Sequence, residues 1–159
     1  MNKGAVKSIS EEAFKRYGQY FNVKDGKHIK NEKISMYMTE RTDLIRSLKF
    51  GITVCDNANR FQVDSMERHL SSEEVQFAGE KPIILSVASS DPWGNPCTED
   101  VESFLLKPGD LVILNRGIWH DACHSVDGKT TYYFLSYTNG EASETAWLPV
   151  TPEPVWIEI

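Results

Sequence analysis

Apolar residues are distributed along this chain in two textures, and the change comes near residue 50. Before it, Phe14 and Tyr17 stand three apart, the spacing that puts two side chains on one face of a helix. Ser8 or Ser10 can cap that helix, Glu11 and Glu12 suit the positive end of its dipole, and Gly18 can end it. In ERTDLIRSLK, Leu44, Ile45 and Leu48 fall at helical spacing and predict a second short helix. EKISMYMTER instead puts Met36 and Met38 at strand spacing, while His28, flanked by Lys and Gly in KDGKHIK, is expected in an exposed loop.

From Phe50 onward the apolar residues come in short bursts rich in β-branched and aromatic types: FGITVC, DSMERHL, VQFAG, KPIILSVA, VESFLL, DLVILN and TTYYFLSYT. Turn signals separate them, among them SSEE, SSDPWGNP, KPGD and VDGK. Asp127-Gly128 is a strong hairpin signal, because Gly accepts the positive φ that a tight turn demands. Many short strands at close spacing predict a sandwich or barrel and not an alternating α/β sheet. The expected architecture is one mostly-β domain over residues 1–159, with helical decoration at about 8–48 and a barrel at about 50–159. The tail LPVTPEPVWIEI is expected to lie extended along an edge.

Composition narrows the classes. The chain has 159 residues, 40% of them hydrophobic, enough for one real core. A net charge of −6 with no run of Lys and Arg speaks against nucleic-acid or anionic-membrane surfaces. No stretch nears the about 18 apolar residues of a membrane helix, and MNKGAVKSISEEAF lacks the apolar segment of a secretory signal. Cys55, Cys97 and Cys123 form no CxxC pair, so they are expected as reduced thiols of a cytoplasmic protein, most like small buried hydrophobes.

Two stretches carry chemistry. In MERHLSSEEVQF, strand alternation gives Glu67 and His69 one face and turns Arg68 away. A turn at Ser71-Ser72 would bring Glu73 or Glu74 back opposite, making a carboxylate and imidazole set suited to Ni²⁺, Mn²⁺, Fe²⁺ or Zn²⁺. The plainer alternative leaves the glutamates in solvent on a turn and His69 half-buried in a sheet. In NRGIWHDACH, Gly117 allows a sharp turn and Trp119 reads as a core anchor. If one strand continues from there, His120, Ala122 and His124 share a face, so His120 can join a site with His124 nearby. His120 can equally be a turn histidine bonded to a backbone carbonyl. Arg116, beside the apolar LVIL run, requires either an acidic partner within the protein or a bound anion.

Taken together, ERHLSSEE and KPGDLVILNRGIWH resemble the two motifs of the cupin superfamily, with Glu67 where the first motif's leading His would stand. More narrowly, EAFKRYG, MERH, FLLKPGDLVILNRGIWH and YYFLSY resemble the ureidoglycolate lyase family over most of the length. The resemblance implies a cupin-type β-barrel or jelly roll with short N-terminal helices, a homodimer, and release of urea from ureidoglycolate to give glyoxylate in purine nitrogen catabolism. It also implies a divalent metal, Ni²⁺ first among those named, held by Glu67, His69, Glu74 and His120. His124, His120 and Glu74 then become candidate acid–base residues, and Arg116, Asn115 and Arg68 candidate contacts to a small-molecule substrate. The chain departs from the family pattern at Asn115, where a His is common, and at Glu74, where a Gln is common. Another metal-dependent cupin enzyme acting on a small hydroxy or keto acid, or a non-catalytic cupin that binds a small ligand, also fits these residues.

Overall fold

The computed structural model describes residues 3–22, 25, 27–30, 35–38, 48–55, 59–137 and 145–159. Ser10 caps the helix α1 (Glu11–Phe14) by accepting from Ala13 N, and Phe14 and Tyr17 are fully buried behind it. That is the only α-helix among the described residues, which corrects the expected helical decoration over 8–48. The strands described in and before that region are β1 (Lys3–Ser8), β2 (Gly18–Asn22), β3 (Lys27–Lys30) and β4 (Ser35–Met38). His28 therefore lies in a two-stranded ribbon, opposite Tyr37, and not in a loop. The second predicted helix falls mostly outside the described residues, and its Leu48 and Lys49 already belong to β5 (Leu48–Cys55).

The remaining strands form two curled sheets facing each other in the manner of a cupin-type barrel. They are β6 (Arg60–Val63), β7 (Ser65–His69), β8 (Glu74–Ala78), β9 (Ile83–Ala88), β10 (Glu102–Leu106), β11 (Asp110–Leu114), β12 (Trp119–His120), β13 (His124–Ser125), β14 (Thr130–Tyr137), β15 (Thr145–Pro149) and β16 (Val155–Glu158). One sheet runs β15-β7-β12-β9-β10-β1-β16-β6, with β13 also on β9; the other runs β2-β11-β8-β14-β5. The tail is thus half as expected: β15 is an edge, whereas β16 is paired on both sides. The Asp127-Gly128 turn has its positive φ of 62° at Gly128, but β13 and β14 belong to different sheets, so it is a crossing and not a hairpin.

The space between the sheets is filled by Ile83, Leu85, Val87, Phe104 and Leu106 from one side and Ala78, Val112, Leu114 and Tyr132 from the other. A second core, on the far face of β7, β9 and β12, joins Met66, Ile84, Ala88 and Trp119 to Phe61, Val63, Val155 and Ile157. Alternation explains the division, since Val87 and Ala88, adjacent on β9, go to opposite cores.

Two polar anchors, one buried and one half-buried, tie the N-terminal strands down. Asp110, 3% exposed, accepts from the Tyr20 hydroxyl, from Asn22 Nδ2 and from Lys107 N across the Pro108-Gly109 turn. The Tyr17 hydroxyl donates to Glu102 Oε2 at 2.6 Å, and Lys7 Nζ meets Glu102 Oε1 at 2.6 Å. Burial pushes the Glu102 carboxyl up, but the bonds from Lys7 and Tyr17 outweigh it and hold the group below its ordinary 4.5. A depressed folded-state value means stabilisation that is complete above that pH and lost as pH falls through the folded value. Tyr17→Phe is therefore expected to cost about 1.5–3 kcal/mol near neutrality, the worth of a bond to a charged group. Well below pH 4.5 the cost should shrink. Urea unfolding of both proteins at the two pH values measures the difference, and an undiminished cost in acid would contradict the assignment.

Candidate metal centre

At one end of the barrel interior, polar side chains replace the apolar filling. Met66 and Arg68 face the second core, so Glu67 and His69 face inward. β12 lies beside β7 with His120 directly opposite Glu67, a pairing that brings two side chains on one face within about 4.5–5.5 Å at Cβ. Glu74 comes from β8 in the other sheet, because residues 70–73 carry the chain across the barrel instead of folding it back as a hairpin. Glu74 is 6% exposed and Glu73 is exposed, so Glu74 is the inward carboxylate.

Glu67, His69 and His120 each bring one donor atom, all within 4.8 Å of one another. Glu74 adds Oε2 at 3.1 Å from His69 Nε2 and Oε1 at 3.6 Å from His120 Nε2. Glu67 Oε1 is 3.6 Å from that same His120 nitrogen. His120 Nδ1 is 3.2 Å from the Ile118 carbonyl, the bond expected of a turn histidine, yet its Nε2 is buried with no hydrogen-bond partner. A buried ring nitrogen without a hydrogen-bond partner, aimed between two carboxylates, is a donor set that fits a cation. Burial raises the Glu67 carboxyl above its ordinary value despite the opposing His120 and His69. For Glu74 the same burial is outweighed by His69, His120 and Gln76, and the net direction is down.

The NRGI turn frames this cluster. Gly117 takes a φ of 77° and donates its N–H to the His69 carbonyl at 2.8 Å, while Asn115 N bonds to the Tyr17 carbonyl at 2.8 Å. No atom lies within 4 Å of a Cβ built at Gly117, so conformation and not space selects glycine there. Arg116 and Asn115 are exposed on this turn, clear of the apolar run, and among the described residues Arg116 makes no ion pair. Arg68 lies on the other side of the sheet, its guanidinium 4.5 Å from the Trp119 ring centroid and bonded to Ser90 Oγ. Trp119 is the buried anchor expected.

His124 is the main departure. His120 pairs with Val87 and His124 with Ile84, so four steps along one strand answer three along the other. This extra residue is a bulge, and beyond it the alternation is inverted. His124 faces away from the cluster, stacked 3.7 Å from the Phe61 ring with Nε2 at 3.2 Å from Asp121 Oδ2. Cys123 is turned inward instead, into the barrel core. Its thiol reaches Gln76 Oε1, and Gln76 Nε2 donates to Glu74. Sequence reasoning overlooked Gln76, although its position two residues after Glu74 on a strand already marks it as facing the same way.

Residues 1–157 match the ureidoglycolate lyase family. No curated protein matches the chain in sequence. Among solved structures it is similar to the TDP-quinovose 3,4-ketoisomerase from Campylobacter jejuni, with 12% identity, 80% of this chain and 89% of that one covered, and a TM-score of 0.54. A 3,4-ketoisomerase from Helicobacter canadensis gives 11%, 80%, 89% and 0.54, and a dTDP sugar isomerase from Desulfovibrio desulfuricans gives 10%, 79%, 82% and 0.55. At these identities the likeness concerns the fold alone. No helix among the described residues is long and apolar enough to cross a membrane.

Proposed function

Because the chain belongs to the ureidoglycolate lyase family, we propose that it cleaves ureidoglycolate to glyoxylate and urea at the cluster of Glu67, His69, Glu74 and His120. The observation that carries this reading is the convergence of two imidazoles and two carboxylates from both sheets around the unpartnered His120 nitrogen. Glu67, His69 and His120, with Glu74 bonded to His69, would hold the cation; Ni²⁺ is the first choice and Mn²⁺, Fe²⁺ or Zn²⁺ suit the same donors. A divalent ion held there supplies Lewis acidity toward the hydroxyl and carboxylate oxygens of a small hydroxy acid.

The rest falls to side chains. In the cleavage the hydroxyl proton leaves, the oxygen's electrons form the aldehyde carbonyl, and the carbon–nitrogen bond breaks with its electron pair going to nitrogen. The departing urea nitrogen must then be protonated. Glu74, kept ionised by its neighbours, accepts the hydroxyl proton and returns it to that nitrogen, so no net proton is consumed. Arg116, exposed on the turn tied to the His69 carbonyl, would take the substrate carboxylate as a charge-assisted pair. His124 has no part in this scheme, since it lies on the opposite face of the sheet.

The test is glyoxylate release from ureidoglycolate by protein reloaded with Ni²⁺ or Mn²⁺, compared with chelator-treated protein. Turnover is expected only with metal, and His69→Ala is expected to lose both bound metal and turnover. Folded, metal-loaded protein that released no glyoxylate would shift the assignment to another small hydroxy or keto acid.

A further inference from the structure

Gln76 is 2% exposed, and a buried primary amide needs partners at both ends. Its nitrogen donates to Glu74 Oε1 at 2.6 Å, and its oxygen accepts from Cys123 Sγ at 3.1 Å. Burial pushes the Cys123 thiol well above its ordinary range, so it remains a protonated donor. With the carbonyl end engaged by the thiol, the amide presents only N–H to Glu74. The carboxylate is then held at both oxygens, Oε1 by Gln76 and Oε2 facing His69 Nε2 at 3.1 Å.

We infer that Gln76, oriented by Cys123, is a positioning residue that aims Glu74, and through it His69, at the cation the cluster holds. This rests on the metal reading of the cluster given above. The bulge after His120 is what makes the relay possible, because an unbroken strand would turn Cys123 to the Trp119 face and leave the amide oxygen without its donor. A glutamine serving only to fill the core would be replaceable by leucine, which has similar bulk, without consequence for an ion. An outer partner of a metal site instead restricts the rotation of the groups that bind, and its loss typically weakens metal affinity by about 10–100-fold.

The experiment measures Mn²⁺ and Co²⁺ binding by calorimetry, and the visible absorption of the Co²⁺ form, for the unmodified protein, Gln76→Leu, Cys123→Ala and Cys123→Ser. Urea unfolding of each metal-free protein identifies any variant that does not fold. Gln76→Leu is expected to bind about tenfold or more weakly with an altered Co²⁺ spectrum. Cys123→Ala should weaken binding in the same direction, while Cys123→Ser, whose hydroxyl restores a donor to Gln76, should return most of the affinity. A folded Gln76→Leu variant that binds both ions as tightly as the unmodified protein overturns the inference. Should that variant not fold, equal and undiminished affinity in the two Cys123 variants overturns it instead. Failure of the unmodified protein to take up either ion is a different result, and it removes the metal reading itself.

Discussion

His120→Leu is expected to lose divalent-metal binding while costing the metal-free protein little stability. The two effects separate because the proposed donor is His120 Nε2, a buried nitrogen that makes no hydrogen bond within the protein. In the absence of metal, Nε2 is buried without a partner, a cost of about 1–3 kcal/mol. Leucine fills similar space and removes that cost, while giving up the Nδ1 contact to the Ile118 carbonyl, worth about 0.5–1.5 kcal/mol. These terms nearly offset, but leucine also withdraws the imidazole that favours the ionised Glu67 and Glu74, so metal-free stability should fall by no more than about 1–2 kcal/mol near neutrality and by less in acid. His120→Ala should lose the ion equally but open a cavity at a 2% exposed position and cost about 2–5 kcal/mol. Ni²⁺ calorimetry reads the first effect, and urea unfolding in chelator reads the second. A leucine variant that kept its Ni²⁺ affinity within about tenfold would show that His120 is not a donor to the ion.

Trp119→Ala is expected to give the largest loss of stability of any single change considered, about 3–5 kcal/mol out of the about 5–15 kcal/mol typical of a domain. Its ring is fully buried in the second core and is covered by the Arg68 guanidinium, and its Nε1 donates to Ser90 Oγ at 3.1 Å. Removal therefore opens a void and frees Arg68 and Ser90 from their shared contact with the ring. Trp119→Phe keeps most of the apolar contact and should cost distinctly less. Equilibrium unfolding in urea distinguishes the two, and an alanine variant within about 1 kcal/mol of the parent would mean the neighbouring strands close over the space. Trp119 immediately precedes His120 on β12, so any such collapse should also weaken metal uptake.

Much of this arrangement was legible from local rules. The α1 cap at Ser10, the positive φ at Gly117 and the inward pairing of Glu67 with His69 each follow from a residue's own conformational preference or from alternation within one strand. What escaped are the features decided by partners distant in the chain. β7 and β8 look like the arms of a hairpin, yet they lie in different sheets, and β13 and β14 behave likewise despite the Asp127-Gly128 signal. Alternation also placed His124 beside His120, because nothing within Asp121–Cys123 announces an extra residue whose presence is defined only against β9. The strands β2 and β3 were missed for a related reason. β3 is mostly basic, and β2 sets Tyr20 beside Phe21 without alternation, so neither carries strand patterning; β2 is held in place by pairing with β11 and by the buried Asp110.

The direct opposition of Glu67 and His120 has a wider consequence. Their separation is set by the main-chain ladder between two strands and not by the length or flexibility of either side chain. The two positions therefore act as fixed posts on which donors are interchangeable. An imidazole in place of the Glu67 carboxylate would supply the leading His of the general cupin pattern, and it would do so without moving the backbone or the second core. The preference of the proposed centre for one cation over another would thus be separable from how the chain folds, and single substitutions at one rung would shift it while the barrel around it stays the same.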